Sequence, residues 1–200
     1  MAKIVIQFPP GATLLDPDEI GGLIPDYISL QSELNVLEKE NVAAGIDWSH
    51  SQKDNDVLTS TFIFTLHRKM FGDVWKWAGK PRASNKSIGI SKEQILQALG
   101  ALLKNVEYWI THKTYSNEEI AVRFHHRLVE IHVFNNGNGR HARLMTDLLL
   151  RKLGEREFSW GESVDVTPLE IENKVRSRYV AALKAADGGD FSLLKKFVRS

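Results

Sequence analysis

Apolar residues recur every three or four positions through most of this 200-residue chain. That spacing places them on one face of a helix, so each run predicts an amphipathic helix packed against a core. The runs are Leu30, Leu34 and Leu37; Phe62, Leu66 and Met70; Ile95, Leu99, Leu102, Val106 and Trp109; and Ile120, Phe124 and Ile131. The run that begins at Leu30 predicts a helix at about 26–42. The pattern as a whole predicts a mainly α fold.

Capping signals add further helix starts. A Ser, Thr or Asp followed by a first-turn Pro, or by a Glu or Gln three positions later, is typical of a helix N-terminus. Such signals occur at Asp16–Glu19, Ser91–Gln94, Ser116–Glu119 and Thr167–Glu170. Asp190 is a further expected cap, for a final helix. The exception to the helical pattern is the stretch from Gly79 to Ile90, whose polar centre between short segments predicts a small β-hairpin.

The composition restricts what the chain can be. With 42% hydrophobic residues, it can build one compact core, so residues 1–200 are expected to form a single domain. The net charge is +1 and the basic residues are scattered among acidic ones, which argues against nucleic-acid binding. No cysteine is present, and the apolar N-terminal run is too short to span a membrane. We therefore expect a cytoplasmic protein with no membrane partner.

The segment HVFNNGNGRHAR at 132–143 carries the strongest chemical signal. Its Gly-Asn-Gly core separates two helical patterns, so the second helix begins at a glycine-rich loop whose free N–H groups attract an anion. Arg140 and Arg143 follow three residues apart on that helix, where their guanidinium groups favour phosphate. His132 precedes the loop and could accept a proton there, and Phe134 is expected to point inward.

Two plainer interpretations were weighed. Gly-Asn-Gly alone is more often a tight turn between helices, but a turn does not need two arginines in the next helical turn. The histidines near the loop could suggest zinc, yet adjacent His125 and His126 diverge by about 100° around a helix and no cysteine assists them. The residues therefore favour a phosphate site.

The segment resembles the signature of the Fic family, His-x-Phe-x-(Asp or Glu)-Gly-Asn-Gly-Arg-x-x-Arg. Further resemblance lies in MFGDVWKWAGK at 70–80 and in YVAAL at 179–183, both similar to the Fic subgroup labelled mobile mystery protein B. The resemblance implies a Fic-like helical bundle of about seven to nine helices with a small β-hairpin flap. It also implies an N-terminal helical extension over about 1–50 and a Fic core over about 56–200.

The resemblance implies roles for individual residues. His132 would be the general base that deprotonates a target hydroxyl, and Phe134 would anchor the loop. Gly137, Asn138 and Gly139 would form the anion hole around the α- and β-phosphates of ATP. Two arginines complete the site: Arg140 would help to hold the phosphates and Arg143 would bind the γ-phosphate.

Asn136 departs from the signature. Where the family has a carboxylate that holds Mg²⁺, this chain has an amide, and Mg²⁺ prefers charged oxygen ligands, waters and phosphates. Asn136 can still offer one oxygen, so Mg²⁺ is expected as a weakly held cofactor and the activity is expected to be weakened rather than lost.

Two regulatory features also follow from the resemblance. Many Fic proteins carry an inhibitory helix with the pattern Ser/Thr-x-x-x-Glu-Gly/Asn, whose Glu pairs with the second arginine of the signature. Ser29 and Glu33 match its first part, although Leu34 replaces the last residue, and the plain alternative is an exposed helix residue. The flap would dock an extended target segment through a strand edge at Ser87, Ile88, Gly89 and Ile90.

The expected activity is transfer of AMP from ATP to a Ser, Thr or Tyr hydroxyl of a protein, with release of pyrophosphate. One alternative is a Fic-like transferase that uses another phosphate-linked donor, such as one delivering phosphocholine or phosphate. Another is a catalytically weak nucleotide-binding regulatory module. The expected partners are ATP and a protein target docked at the flap, which includes the chain itself, and a homo-oligomer is left open.

Overall fold

Helices form the regular structure of this chain in a computed structural model that describes residues 17–52, 57–161 and 168–200. Eight α-helices and one short 3₁₀ helix, Lys92–Gln94, lie within these ranges. The α-helices are α1 Pro17–Ile20, α2 Gln31–Ser51, α3 Ser60–Phe71, α4 Ile95–His112, α5 Asn117–Ile131, α6 Asn138–Lys152, α7 Pro168–Asp187 and α8 Ser192–Val198. The mainly α prediction is confirmed. The expected caps at Asp16 and Thr167 fall outside the described residues.

Two groups of buried apolar side chains hold the helices together. The larger lies among α2 to α6 and includes Trp75, Phe124 and Phe134. The smaller joins α7 and α8 to α5 and α6 through Ala121, Leu150 and their neighbours. Because α5 and α6 contribute to both groups, the loop between them is supported from two sides. No helix in the described ranges is long and apolar enough to cross a membrane.

Side-chain caps fix several helix boundaries. The Thr59 hydroxyl accepts a hydrogen bond from Phe62 N–H at 3.2 Å, and the Ser116 hydroxyl accepts one from Glu119 N–H at 3.2 Å. An N-cap of this kind satisfies one of the free amides of the first turn and contributes about 1 kcal/mol. The predicted start of α5 at Ser116 is confirmed. At α8 the Asp190 carboxylate accepts from Ser192 N–H at 2.9 Å, but the residue that directly precedes the helix is Phe191.

The helix α2 differs from the prediction of a helix at about 26–42, since it begins at Gln31 and continues to Ser51. Its buried face continues through Asn41 and Gly45, which are not apolar side chains. Asn41 donates to the Lys69 carbonyl at 3.1 Å and accepts from Asp73 N–H at 3.0 Å. A Cβ on Gly45 would lie 2.6 Å from a Met70 side-chain carbon. Close packing on α3 therefore extends the helix where hydrophobic spacing stops.

The predicted β-hairpin between Gly79 and Ile90 is not formed. In the described part of the chain, strand-like pairing is limited to one antiparallel bridge between Leu23 and Trp75. The carbonyl groups that a hairpin would pair are instead bound by a side chain, because the Arg82 guanidinium donates to the carbonyls of Ser84 and Ile90. The flap is thus an irregular segment organised around Arg82.

Candidate functional site

Left-handed backbone conformations mark both ends of the loop between α5 and α6. His132 ends α5 with φ of 53° and Gly137 precedes α6 with φ of 78°. The first conformation is unusual for a residue with a side chain and is typical of strained functional positions. The loop therefore reverses the chain within six residues and presents His132 beside the start of α6.

The loop is held closed by side chains that bind its backbone. The Asn138 amide accepts from Phe134 N–H at 2.9 Å and donates to the Phe134 carbonyl at 2.8 Å. The Phe134 ring is fully buried and stacks on the His67 ring with centroids 3.6 Å apart. The side chain of Asn138 thus supports the loop, and only its backbone N–H is left to bind a ligand.

His67 supports the loop from α3. Its Nδ1 accepts from Gly79 N–H at 3.0 Å, so Nε2 carries the proton and donates to the Asn136 carbonyl at 3.0 Å. Burial keeps the pKa of His67 well below its ordinary value, and the positive charge of Arg140 acts in the same direction. A neutral His67 therefore links the segment after α3 to the loop between α5 and α6. The sequence pattern did not predict this role.

The first turn of α6 supplies free amide donors. The first intrahelical bond of α6 runs from His141 N–H to the Gly137 carbonyl at 2.9 Å. The N–H groups of Asn138, Gly139 and Arg140 therefore lack intrahelical acceptors and lie at the positive end of the helix dipole. A Cβ on Gly139 would have no heavy atom within 4 Å. This open, donor-lined space is suited to an anion such as phosphate.

The two glycines are expected to respond differently to substitution by alanine. At Gly137 a Cβ would lie 2.6 Å from the Phe71 ring with φ at 78°, so Gly137→Ala should destabilise the protein by about 2 kcal/mol or more. Gly139→Ala should leave stability nearly unchanged but weaken nucleotide binding. Urea unfolding and calorimetric titration with ATP measure the two effects; equal stability losses would contradict this reading.

Arg140 is paired with a carboxylate from α2. Its guanidinium donates to Glu38 at 2.8 Å and lies over the Phe71 ring at 4.8 Å. The second oxygen of Glu38 accepts from the Trp75 indole N–H at 2.7 Å. The Glu38 carboxylate is thereby fixed between two donors and sets the position of Arg140.

Arg143 has a different environment. Its guanidinium carbon lies 5.6 Å from the centre of the Tyr179 ring, and among the described residues it pairs with no carboxylate. The Tyr179 hydroxyl is 2.8 Å from Nε2 of buried His125, which fixes the ring on α7. Arg143 is therefore a cation held by an aromatic face.

His132 is neutral near pH 7. Burial lowers its pKa to about 4, and the positive charges of Arg82 and Lys86 act in the same direction. A neutral imidazole has a free lone pair and can accept a proton. Gly89 of the flap lies against it, since a Cβ on Gly89 would be 2.5 Å from His132 Cβ.

Asn136 offers at most one neutral oxygen to a metal ion. That oxygen accepts a hydrogen bond from Gly137 N–H at 2.6 Å, which leaves it one lone pair. Within the described ranges, no group of three or more His, Asp or Glu side chains is placed to hold a metal ion. Any Mg²⁺ here would therefore depend mainly on phosphate and water ligands.

The predicted inhibitory pair between Glu33 and Arg143 is not formed. The Glu33 carboxylate accepts from the N–H groups of Ser29 and Leu30, both at 3.0 Å, and so caps its own helix. These hydrogen bonds lower the pKa of Glu33. The carboxylate of α2 that contacts a loop arginine is Glu38, one helical turn after buried Leu34, and that spacing was the sequence signal for it.

The predicted docking residues lie together on the flap. Ser87, Ile88 and Gly89 are exposed and Ile90 is half-buried, with 62% of the Ile88 surface accessible. An exposed apolar side chain next to a glycine that touches His132 offers a contact for a peptide beside the imidazole. The flap, the imidazole and the phosphate loop thus adjoin one another.

Comparison with known proteins agrees with this geometry. Residues 57–150 match the model of the Fic/DOC family. A protein adenylyltransferase fic-1 of Caenorhabditis elegans is 27% identical over 189 residues, which cover 90% of this chain and 34% of the relative. A protein adenylyltransferase Fic of Aedes aegypti is 28% identical over 148 residues, covering 72% of this chain and 28% of the relative. The chain thus spans about a third of these relatives' length.

A solved structure shows the same fold. The BepC protein of Bartonella tribocorum, a VirB-translocated effector crystallised with AMPPNP, superposes with a TM-score of 0.69 at 18% identity. The match covers 92% of this chain and 93% of that one. The helical arrangement around the loop is therefore one found in a nucleotide-bound protein.

Proposed function

We propose that this chain, whose residues 57–150 match the model of the Fic/DOC family, is a protein adenylyltransferase that moves AMP from ATP to a hydroxyl of a protein. The observation that carries the proposal is the neutral imidazole of His132 beside three free amides at the start of α6. Phosphate binding alone needs no base at that position. The names of the relatives, protein adenylyltransferases, support the same reaction.

The proposed reaction follows from these positions. A target hydroxyl, held by the flap near Ile88, loses its proton to a ring nitrogen of His132 while its oxygen attacks the α-phosphorus of ATP. The bond from that phosphorus to the bridging oxygen breaks, and pyrophosphate leaves with the electron pair. The amides of α6 stabilise the negative charge on the phosphate oxygens, and Arg140 and Arg143 bind the departing phosphates.

Intact-mass spectrometry tests this proposal. After incubation with ATP and Mg²⁺, the protein or an added target should gain the mass of one AMP, and His132→Ala should gain none. A gain of phosphate or phosphocholine from the matching donor would favour the alternative transferase. Binding of ATP without any mass gain in the native chain would instead favour a nucleotide-binding regulatory module.

The substitution Asn136→Asp is expected to raise ATP-dependent self-modification. It would restore the carboxylate of the family signature, and a charged oxygen holds Mg²⁺ more strongly than an amide. We expect an increase of about tenfold in a radiolabelled ATP assay at limiting Mg²⁺. Asn105→Asp, at an exposed position on α4, serves as the matched control. An unchanged or lower rate for Asn136→Asp would contradict the expectation.

The substitution Glu38→Gln is expected to weaken ATP binding about tenfold. The amide keeps an oxygen for the Trp75 indole but loses the charge that orients Arg140, and a charge-assisted pair of this kind contributes about 1 to 3 kcal/mol. Calorimetry measures the affinity, with exposed Glu40→Gln on the same helix as control. Tighter binding by Glu38→Gln would show that Glu38 competes with the nucleotide for Arg140.

Several finer points belong to the same proposal. The resemblance to the subgroup labelled mobile mystery protein B and the organisation of residues 1–200 as one domain remain predictions. Mg²⁺ would enter with the nucleotide phosphates rather than in a site built by the chain. The protein target, self-modification and a cytoplasmic location are proposed on the sequence arguments alone.

A further inference from the structure

Arg82 is the most connected side chain of the flap. It is only 3% exposed, although it carries a permanent charge. Its guanidinium donates to the carbonyls of His132 at 2.7 Å and Ser84 at 2.8 Å, and to that of Ile90. Its backbone N–H donates to the Val133 carbonyl at 2.9 Å. One side chain thus joins Ser84 and Ile90, which enclose the docking segment Ser87 to Gly89, to the backbone at the proposed base.

The partner backbone is the strained part of the site. His132 adopts φ of 53°, a conformation that costs about 1 kcal/mol or more for a residue with a side chain unless its surroundings hold it. Arg82 binds the carbonyl of His132 through Nε and that of Val133 through its own N–H. These two bonds fix the peptide groups that follow the imidazole, so they set the direction in which the ring projects.

The flap touches His132 a second time. Gly89 packs against it so closely that a Cβ there would lie 2.5 Å from His132 Cβ and 3.2 Å from an Arg82 terminal nitrogen. Gly89 has φ of 92°, a conformation that glycine adopts readily. A peptide docked on Ser87 and Ile88 would therefore press on residues that adjoin Arg82 and His132 directly.

We propose that Arg82 is a positioning residue that couples the docking segment to His132. Its hydrogen bonds would hold a peptide bound at the flap at a fixed position relative to the His132 imidazole. This inference rests on the proposed role of His132 as base. The charged groups that act on His132 are Arg82 and Lys86 from the flap segment. The phosphate-binding amides of α6 do not depend on the Arg82 contacts.

Two substitutions of Arg82 separate its charge from its geometry. Arg82→Met removes both, so the rate of AMP transfer should fall at least tenfold and the pKa of His132 should rise by about one. Arg82→Lys keeps the charge but cannot reach three carbonyls at once, so the His132 pKa should stay low while transfer still falls. ATP affinity should remain within about twofold in both.

Titration of the His132 ring by NMR on the full chain gives a readout that does not need turnover, with His132→Gln identifying its signal. If the native chain transfers no AMP, the proposed function fails, yet the titration still tests Arg82. An Arg82→Met protein with the native His132 titration and native transfer rate would overturn the inference.

A second variant covers the case in which Arg82→Met does not fold. Gly89→Ala would push the flap away from His132, and we expect at least a tenfold loss of transfer with ATP binding retained. Gly100→Ala in α4, where a Cβ would meet no heavy atom within 4 Å, is the matched control. Equal transfer rates for Gly89→Ala and Gly100→Ala would likewise overturn the inference.

Discussion

Replacing His132 by alanine is expected to lower the rate of AMP transfer about 1000-fold, the size typical for loss of a general base. ATP affinity should stay within about twofold, because the amides of α6 and both arginines remain in place. The measurement is the rate of mass gain under saturating ATP, together with calorimetric titration of ATP. Loss of transfer without loss of binding would identify the imidazole as the group that acts on the hydroxyl.

The matched control is His112→Ala, an exposed histidine at the end of α4 that stacks on Tyr108. It should transfer AMP at the native rate. If His132→Ala still transferred AMP within tenfold of the native rate, another group would be the proton acceptor and the proposed chemistry would be wrong.

Acidification from pH 6 to pH 5 is expected to destabilise the protein by about 4 kcal/mol, since each proton taken up on unfolding is worth about 1.4 kcal/mol per pH unit. Burial lowers the pKa of His125 to about 3 and the pKa values of His132 and His141 to about 4, and it holds the pKa of His67 well below its ordinary value. The unfolded chain therefore binds a proton on each of these histidines near pH 6.5, while the folded chain keeps them neutral. Stability is lost as the pH falls through this window.

One carboxyl group acts in the opposite direction. Burial raises the pKa of Asp147 to about 6, although the hydrogen bonds that it accepts from the Trp160 indole and from Phe158 N–H oppose this shift. Between about pH 6 and 4 the folded state therefore binds this proton more strongly than the unfolded state does. Four histidines against one aspartate leave a net uptake of about three protons on unfolding. This difference sets the expected slope of the free energy of unfolding against pH.

Urea unfolding at a series of pH values measures that slope. His141→Gln, which can still donate to the Ile63 carbonyl that His141 contacts at 3.0 Å, should reduce it by about one proton. A native slope of less than one proton between pH 6 and 5 would show that these histidines are not held neutral.

The sequence predicted those parts of the molecule that depend on local physics. Helical spacing located α3 to α6, and the Ser116 cap follows from side-chain chemistry within one turn. The glycine-rich start of α6 is likewise a local feature, because a residue with φ of 78° favours glycine. The Gly-Asn-Gly motif therefore has a glycine at the position where the backbone requires one.

The parts that were missed depend on contacts between distant segments. Helical spacing places Glu38 on the same face of α2 as Leu34 but does not identify Arg140 as its partner. No periodicity indicates that His67 meets the Asn136 carbonyl. The flap was expected to be a hairpin because its residues resemble short strands, yet the Arg82 side chain satisfies the carbonyls that strands would pair. Polar side chains on buried faces, such as Asn41, are invisible to a hydrophobic pattern.

The ion pair between Glu38 and Arg140 joins residues 102 positions apart. Closing so long a stretch of chain costs conformational entropy, so the packing of α2 on α3, rather than the ion pair alone, must hold the two residues together. The orientation of Arg140 therefore depends on a helix near the N-terminal end of the described chain. Proteolytic removal of α2 would leave helices α3 to α6 with a phosphate loop that lacks one of its supports, so ATP affinity reports the integrity of a remote N-terminal segment.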